Sequence, residues 1–223
     1  MEARRLAGVG GVAGIATPVV MWTAFLLAAF FRPGYDLIRD PSSELGEIGS
    51  PGAAIFNLAF FLVPGVLTIC FGAALAGFPG GRWARLAGSL MISLSGLSMF
   101  ASGLIPMAPN SEQLTFWHRF AGLPLLTVFP AGILLLSLAL SYDLRLRADA
   151  RLGLLCGSVL TILIGCYELH VVDIPDGLFQ RASLAVLTPW FVAIGLRLLR
   201  RNSPNRNENG RTAADRPPAI WIA

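Results

Sequence analysis

Four long runs of the chain contain no Asp, Glu, Lys or Arg, and this feature limits the possible fold more than any other. The runs cover residues 6–31, 48–81, 86–111 and 120–142. An uncharged segment of about 20 apolar residues is long enough to cross a bilayer as a helix. Each run therefore predicts one membrane-spanning helix.

Two shorter uncharged stretches, residues 152–167 and 182–196, can be extended by their flanks to the same length. Only 13% of the residues are charged, which is about half the ~25% of soluble domains. The alternating segments of about ten residues that transmembrane β-strands require do not occur. We expect an all-α polytopic membrane protein, a bundle of six transmembrane helices at about residues 7–31, 53–77, 84–105, 117–141, 151–171 and 179–200.

The 17 basic residues are all arginines, and their distribution predicts the orientation of the bundle. Most collect in alternate connections and near both ends of the chain, which leaves four for the other side: Arg32, Arg39, Arg119 and Arg181. Cytoplasmic loops of membrane proteins carry the excess of positive charge. We therefore expect both termini to be cytoplasmic and the protein to be a multi-pass protein of the plasma membrane. The net charge of +4 then reflects orientation and does not indicate binding to nucleic acid.

The chain is expected to form one transmembrane domain over residues 1–201, followed by a disordered cytoplasmic tail over 202–223, which is rich in Pro, Asn and Arg. The basic start is read as part of a retained first helix, because the apolar run after it is too long for a signal peptide. Small residues at four-residue spacing predict one close helix contact along the fifth span, at Gly153, Gly157, Thr161 and Gly165.

Polar residues concentrate on the side opposite the arginines. Eight of the 13 acidic residues and both histidines lie there: Asp36, Asp40, Glu44, Glu47, Glu112, Glu168, Asp173, Asp176, His118 and His170. Polar groups beside apolar spans need partners. The three connections on that side are therefore expected to converge on a cluster that contains Glu44, His118 and at least one of Glu168, His170 and Asp173.

The segment "YDLIRDPSSELGEIGSPG", residues 35–52, has the pattern of a helix start. Asp40 can cap the helix and Pro41 suits its first position. Asp40, Glu44 and Glu47 would then share one face and repel by a few tenths of a kcal/mol per pair. We expect Arg119 or Arg181 to pair with Glu44. The alternative is a capped interfacial helix without a functional role.

The end of the fifth span carries Glu168, followed by His170 and Asp173 at a spacing that would place the last two on one helical face. A carboxylate at mid-bilayer costs about 2.5–3.5 kcal/mol and normally faces the bundle interior with a partner. A buried carboxylic acid beside a histidine base is one interpretation. Polar groups that reach up to the membrane interface are the other.

The predicted catalytic residues are Glu44, His118, Glu168, His170 and Asp173. The predicted substrate-binding residues are Tyr35, Asp36, Asp40, Ser43, Arg119, Gln180, Arg181 and Trp117. Two histidines with several carboxylates suit a divalent metal in principle, but the spacing of known metal motifs is missing, and so are phosphate-loop and dinucleotide motifs. No metal and no cofactor are therefore expected.

Three functions remain open at this point. The first is an enzyme that applies acid–base chemistry to a lipid-like or isoprenoid substrate, by cyclisation, isomerisation or hydrolysis. The second is a non-catalytic lipid-binding, sensing or assembly protein. The third is a transporter, which ranks last because the charges crowd one end and no inverted repeat is evident. The expected partner is a membrane lipid or apolar small molecule, nucleic acid is not expected, and the oligomeric state is left open.

Three segments, "RPGYDLIRDPSSELGEIGSPGAAIFNLAFFLVPGVL", "GLIPMAPNSEQLTFWHRFAG" and "DGLFQRASLAVLTPWFVAIGLRLL", resemble a bacterial and archaeal family catalogued as domain of unknown function 998. The resemblance covers nearly the whole chain apart from the tail, and it departs at Ile105, Pro106 and Met107, where the family often has Phe-Pro followed soon by an acid. It implies a six-helix integral membrane protein and brings no established activity. The matching residues are Tyr35, Asp36, Ser43, Glu44, Leu45, Gly46, Pro106, His118, Gly177, Gln180 and Arg181.

Overall fold

The computed structural model describes residues 2–202, and the regular structure in that range is entirely helical. Six helices are long and apolar enough to cross a membrane, which confirms the predicted fold class of a multi-pass membrane protein. Residues 203–223, most of the predicted tail, lie outside the described part. The helices are α1 (Glu2–Phe31), α2 (Ala53–Leu75), α3 (Arg82–Leu104), α4 (Glu112–Ser141), α5 (Arg147–Glu168) and α6 (Asp176–Asn202).

Helix α4 begins earlier than the charge pattern predicts, at Glu112 and not near residue 117. The reason is a cap, because the Ser111 hydroxyl accepts a hydrogen bond from the Leu114 backbone N–H at 3.3 Å. A serine in this position satisfies an amide that has no partner within the helix. The early start places His118 in the second turn of a membrane-spanning helix.

Each helix packs against its neighbours in sequence, and α6 returns to pack against α1, so the bundle closes into a ring. Glycines form the closest contacts. A Cβ atom at Gly96 would lie 2.7 Å from the Gly65 carbonyl oxygen, and one at Gly195 would lie 2.9 Å from the Gly11 carbonyl oxygen. Small residues thus let the backbones of α2 and α3, and of α1 and α6, touch directly.

An aromatic cluster fills the centre of the ring. Trp190 of α6 is fully buried, with ring centroids 5.5 Å from Phe71 of α2 and 6.1 Å from Phe129 of α4, both edge to face. Such pairs contribute about 0.5–1.5 kcal/mol beyond the area they bury. This cluster joins α2, α4 and α6 across the bundle.

Helix α5 packs closely along only part of its length, which corrects the contact predicted from its small residues. A Cβ at Gly157 would lie 2.9 Å from the Leu134 side chain, whereas one at Gly165 would meet nothing within 4 Å. The last buried residue of α5 is Leu160, and Thr161 is exposed. Beyond Leu160 no residue of the helix is fully buried, and the close contact with α4 ends.

The two ends of the bundle differ in charge and in contacts. At the carboxylate end (connections 32–52, 105–111 and 169–175), the long first connection touches the second connection and the first turn of α6. The Ile48 N–H donates to the Met107 carbonyl at 2.9 Å. At the arginine end (connections 76–81 and 142–146, with the start of α1 and the end of α6), Arg197 of α6 forms an ion pair with Asp149 of α5 at 2.7 Å.

Candidate functional site

A cavity of about 680 Å³ lies inside the bundle near its carboxylate end. Pockets for small organic ligands usually measure about 300–1,000 Å³. Residues deeper along the helices give the cavity an apolar wall that includes Met21, Phe25, Phe60, Phe61, Met99, Leu126, Phe129, Leu160 and Leu184. The helix ends and connections give it a polar mouth that includes Ser43, His118, Arg119, Glu168, His170, Asp173, Asp176, Gln180 and Arg181.

The predicted site residues divide into two groups by this geometry. Eight of them line the cavity: Ser43, His118, Arg119, Glu168, His170, Asp173, Gln180 and Arg181. The other five lie elsewhere: Tyr35, Asp36, Asp40, Glu44 and Trp117. The structure thus brings the three connections together around one polar mouth, but it places Glu44 outside that mouth.

The lid (residues 35–50) is the part of the first connection that covers the cavity. Its short helix, Ser42–Gly46, is a 3₁₀-helix and not the α-helix that the sequence pattern predicts. Such helices have three residues per turn and rarely extend far, and Glu47 already has extended backbone. Asp40, Glu44 and Glu47 therefore do not share a helical face, and that prediction is wrong.

The predicted cap of this helix is also wrong. The residue before the first turn is Pro41, and no side chain caps the helix. The Asp40 carboxylate instead accepts a hydrogen bond from the backbone N–H of Asp36 at 2.8 Å. This bond closes the turn that precedes the 3₁₀-helix, where the backbone amides have no acceptor within a helix.

Arg181 of α6 fixes the lid from below. Nη1 and Nη2 each donate to the Asp40 carbonyl oxygen at 3.0 Å, and Nη2 also donates to the Tyr35 hydroxyl. The guanidinium carbon lies 4.5 Å from the centroid of the Phe25 ring, a cation–π contact. Burial raises the pKa of Tyr35 to about 12, so this hydroxyl stays protonated and donates to the Asp40 carbonyl at 3.0 Å.

Two amide side chains, one half-buried and one buried, hold the ends of the 3₁₀-helix. The Gln180 Oε1 atom accepts from the Ser42 N–H at 2.7 Å. The Asn57 Nδ2–H donates to the Gly46 carbonyl at 2.7 Å. Asn57 begins a π-helical stretch of α2, Asn57–Leu62, and such stretches occur often at functional sites. The bonds fix the lid to α6 and to α2.

The first turn of α6 lies directly against the lid backbone. The Gly177 N–H donates to the Arg39 carbonyl at 3.2 Å, and the Leu178 N–H donates to the Ile38 carbonyl at 2.8 Å. These two amides would otherwise lack acceptors, as at any helix start. A Cβ at residue 177 would lie only 2.6 Å from the Ile38 carbonyl oxygen, so this contact requires glycine.

Glu44 does not line the cavity. Arg32 is the cation whose charge acts on its carboxylate, which corrects the predicted pairing with Arg119 or Arg181. That arginine donates to the Glu44 carbonyl oxygen and forms its ion pair with Glu47, at 3.9 Å. Partial burial, and then the charge of Asp40, raises the pKa of Glu44, while Arg32 opposes the shift.

Asp36 and Trp117 also lie away from the cavity. The Asp36 carboxylate accepts hydrogen bonds from the N–H groups of Ile38 at 2.8 Å and Arg39 at 3.2 Å, and these bonds lower its pKa. Trp117 is 45% exposed on the outside of α4, where it packs edge to face on Phe116. Asp36 shapes a turn and Trp117 belongs to the membrane-facing surface.

His118 is buried where α4 meets the end of α3. Its Nδ1 atom lies 3.1 Å from the Ser102 carbonyl oxygen and 2.7 Å from that of Ile105. Both partners can only accept, so Nδ1 carries the proton and donates it. In a neutral imidazole the other ring nitrogen, Nε2, is then a proton acceptor. The last carbonyls of α3 thus fix both the ring and its tautomer.

The mouth residues at the end of α5 are more exposed than the sequence suggests. Helix α5 ends at Glu168, which is exposed, so the interpretation as a buried acid is wrong and a polar group near the membrane interface fits. His170 adopts a left-handed backbone conformation with φ of 52°, so it does not share a helical face with Asp173. Glu168, His170 and Asp173 nevertheless surround the same opening.

Sequence reasoning missed a contact that joins α5 to α6 at the mouth. The Tyr167 hydroxyl donates to the Asp176 carboxylate at 2.7 Å, and the Tyr167 ring stacks on Phe179 with centroids 3.9 Å apart. The only signal was a tyrosine beside Glu168 at a helix end. Its partners, Asp176 and Phe179, belong to the next helix, after the chain has reversed direction.

Among residues 2–202, no three His, Cys, Asp or Glu side chains converge as a metal site would require. The carboxylates of the mouth are spread around its edge. The chemistry available there is that of one buried imidazole, exposed carboxylates and two arginines, above an apolar chamber.

Comparison with known proteins gives a family. No curated protein and no solved structure shows a significant match to the chain. A family model described as "Protein of unknown function (DUF998)" matches residues 15–197, which include helices α2 to α5, most of α1 and α6, and every residue of the cavity. The chain therefore belongs to the DUF998 family.

Proposed function

We propose that the protein binds an amphipathic small molecule of the membrane, with the apolar part in the cavity and the polar part at the mouth. The observation that carries the proposal is the division of the cavity into an apolar chamber and a polar edge. Apolar walls contribute affinity, and a few fixed polar groups orient the ligand. A molecule with one apolar chain matches this arrangement.

The size of the cavity supports the choice of ligand. A volume of about 680 Å³ lies in the range of pockets for single small ligands, ~300–1,000 Å³. One fatty acyl or isoprenoid chain with a compact polar end has suitable dimensions. We place the protein in the plasma membrane, and the positive-inside rule favours an orientation with the carboxylate end outside and both termini in the cytoplasm.

Acid–base catalysis on that ligand is a second candidate, and one observation favours it. His118 donates through Nδ1 to two backbone carbonyls, and it lines the cavity together with Glu168. Nε2 can take a proton from a bound ligand, and the carbonyls would stabilise the imidazolium that forms. Glu168 is the carboxyl group available at the same mouth, and Glu44 has no part in this mechanism.

The binding proposal is tested by filling the cavity. Gly122 of α4 lines it, and a Cβ there meets only the Ser102 hydroxyl, at 3.6 Å. The Gly122→Phe variant therefore extends a ring into the chamber without a backbone clash. The matched control is Ala185→Phe, at an exposed position of α6.

Lipids that co-purify with each variant, and the binding of a fluorescent polyene fatty acid, are measured by native mass spectrometry and fluorescence titration. We expect Gly122→Phe to weaken binding at least about tenfold, or ~1.4 kcal/mol, and Ala185→Phe to bind as the wild type does. Equal binding by both variants would refute the cavity as the binding site.

A further inference from the structure

The cavity exists because two helices separate on one side of the bundle. Near the arginine end α5 lies close to α4, where Gly157 contacts Leu134. Toward the carboxylate end this contact ends, since a Cβ at Gly165 would meet nothing within 4 Å. The separation begins at about the depth of Leu160, which lines the cavity.

The other side of α5 is closed at the mouth. Tyr167 stacks on Phe179 and donates to Asp176, so the ends of α5 and α6 are joined. The lid closes the opposite side, where Gln180 and Arg181 hold it. The remaining separation lies between α4 and α5.

Side chains along this separation both line the cavity and face outward. Leu123 of α4 lines the cavity, yet 48% of it is exposed. Ile164 lines the cavity from the facing side of α5. The exposure of Leu123 at the place where α4 and α5 separate points to an opening toward the surrounding lipid, between Leu123 and Ile164, which we call the slot.

The polarity of the slot changes along its length in the same direction as that of a bilayer leaflet. Its deep part is bordered by leucine and isoleucine, and its shallow part by Arg119 and Glu168 at the mouth. A lipid standing in the adjacent leaflet presents its chain and its polar end at the same two depths. It can therefore move sideways into the cavity without exposing its chain to water.

We infer that the ligand is a single-chain amphiphile already dissolved in the membrane, which enters sideways through the slot between α4 and α5. This inference rests on the proposed function, because it assumes that the cavity binds such a molecule. It adds the source of the ligand, the leaflet next to the carboxylate end, and the route.

The test compares variants that narrow different routes. Leu123→Trp narrows the slot and Ser43→Trp narrows the mouth beside the lid. Leu155→Trp adds the same bulk at a position of α5 that is 62% exposed and does not line the cavity. Each protein is reconstituted and mixed with vesicles that contain a fluorescent polyene fatty acid. Energy transfer from tryptophan to the probe gives the rate constant with which the cavity fills. Each curve is normalised to its own end point, and the end point itself reports how much of the protein is occupied.

We expect Leu123→Trp to slow filling about tenfold, which corresponds to ~1.4 kcal/mol of barrier, with Leu155→Trp near the wild-type rate and Ser43→Trp slowed less than Leu123→Trp. If Ser43→Trp alone slows filling, or if neither Leu123→Trp nor Ser43→Trp slows it, the sideways route is overturned while the binding proposal stands. Absence of probe binding by the wild type would refute both. A loss of final occupancy in Leu123→Trp is checked with Leu123→Phe, whose smaller ring must also slow filling.

Discussion

The contact between α6 and the lid predicts a large effect from a single methyl group. In Gly177→Ala the new Cβ would lie 2.6 Å from the Ile38 carbonyl oxygen and 2.7 Å from that of Asp40. These two neighbours are backbone atoms, so neither can move aside by rotating a side chain, and the Cβ would also meet the guanidinium of Arg181, which holds the lid. The lid must lift by several tenths of an ångström, and the hydrogen bonds that it accepts from α6 must lengthen.

The size of this effect follows from the contacts that the new methyl group displaces. Adding atoms to a closely packed contact costs about 1–3 kcal/mol. Two backbone hydrogen bonds, at 3.2 and 2.8 Å, and the two bonds from Arg181 to Asp40 lie in the strained region. The free energy cost falls on the lid and not on the helices, so a population of opened lid about 5–150-fold larger is expected.

Hydrogen exchange of the lid amides measures this opening. The informative amides are those of Asp40, Ser42 and Glu44, which donate at 2.9, 2.7 and 3.1 Å in the closed lid. The control is Gly165→Ala, the same change in a helix where the new Cβ meets nothing within 4 Å. Exchange that is as slow in Gly177→Ala as in the control and the wild type would refute the argument that glycine is required there.

Two further predictions concern charge. The pKa of Glu44 is raised by burial and by Asp40, so the folded state holds the proton more tightly than the unfolded state, and this contribution to stability is lost as pH rises through the folded pKa. Glu44→Gln should therefore increase stability at neutral pH, by at most about 1 kcal/mol, with no gain at pH 4. The control is Glu47→Gln, which removes the partner of Arg32. A loss of stability of Glu44→Gln at neutral pH, measured by thermal unfolding, would contradict the expected sign. For orientation, an impermeant thiol reagent applied outside whole cells should label Leu37→Cys and spare Leu144→Cys, since these leucines are 51% and 69% exposed at opposite ends; equal labelling of both would refute the topology.

The transmembrane helices could be predicted from the sequence because one physical cost determines them. A charge in the bilayer core is expensive, so the uncharged runs mark the spans without knowledge of their neighbours. The boundary that was missed, at Glu112, depends on the Ser111 cap. That bond is local, but Asn110 in the same loop is also of a residue type that caps helices, and the charge pattern does not distinguish the two.

The cavity could not be predicted in the same way, because it depends on how two helices diverge. Gly153, Gly157 and Gly165 have identical side chains and regular spacing, yet only the first two are packed. Whether a glycine lies in a contact depends on the path of the facing helix. The predicted partner of Glu44 was wrong for a similar reason. Glu44 lies in a short 3₁₀-helix, and the cation whose charge acts on its carboxylate is Arg32 and not Arg119 or Arg181.

The residues that carried the resemblance to the family have a common physical role in the structure. Tyr35, Gln180 and Arg181 direct their polar atoms to one another and to the lid backbone. Gly46 and Gly177 allow the lid to lie against Asn57 and against α6. The polar atoms that form these bonds cannot also bind a ligand without opening the lid.

That engagement narrows the choice of residues for any chemistry. A reactive group must border the cavity and keep a nitrogen or oxygen atom free of structural bonds. His118 meets the condition through Nε2, because only Nδ1 is used by the end of α3. Glu168 meets it at the mouth, where its side chain is exposed. The lid is thus the fixed part of the site, and the opposite wall, formed by α4 and α5, carries both the free proton-transfer groups and the slot.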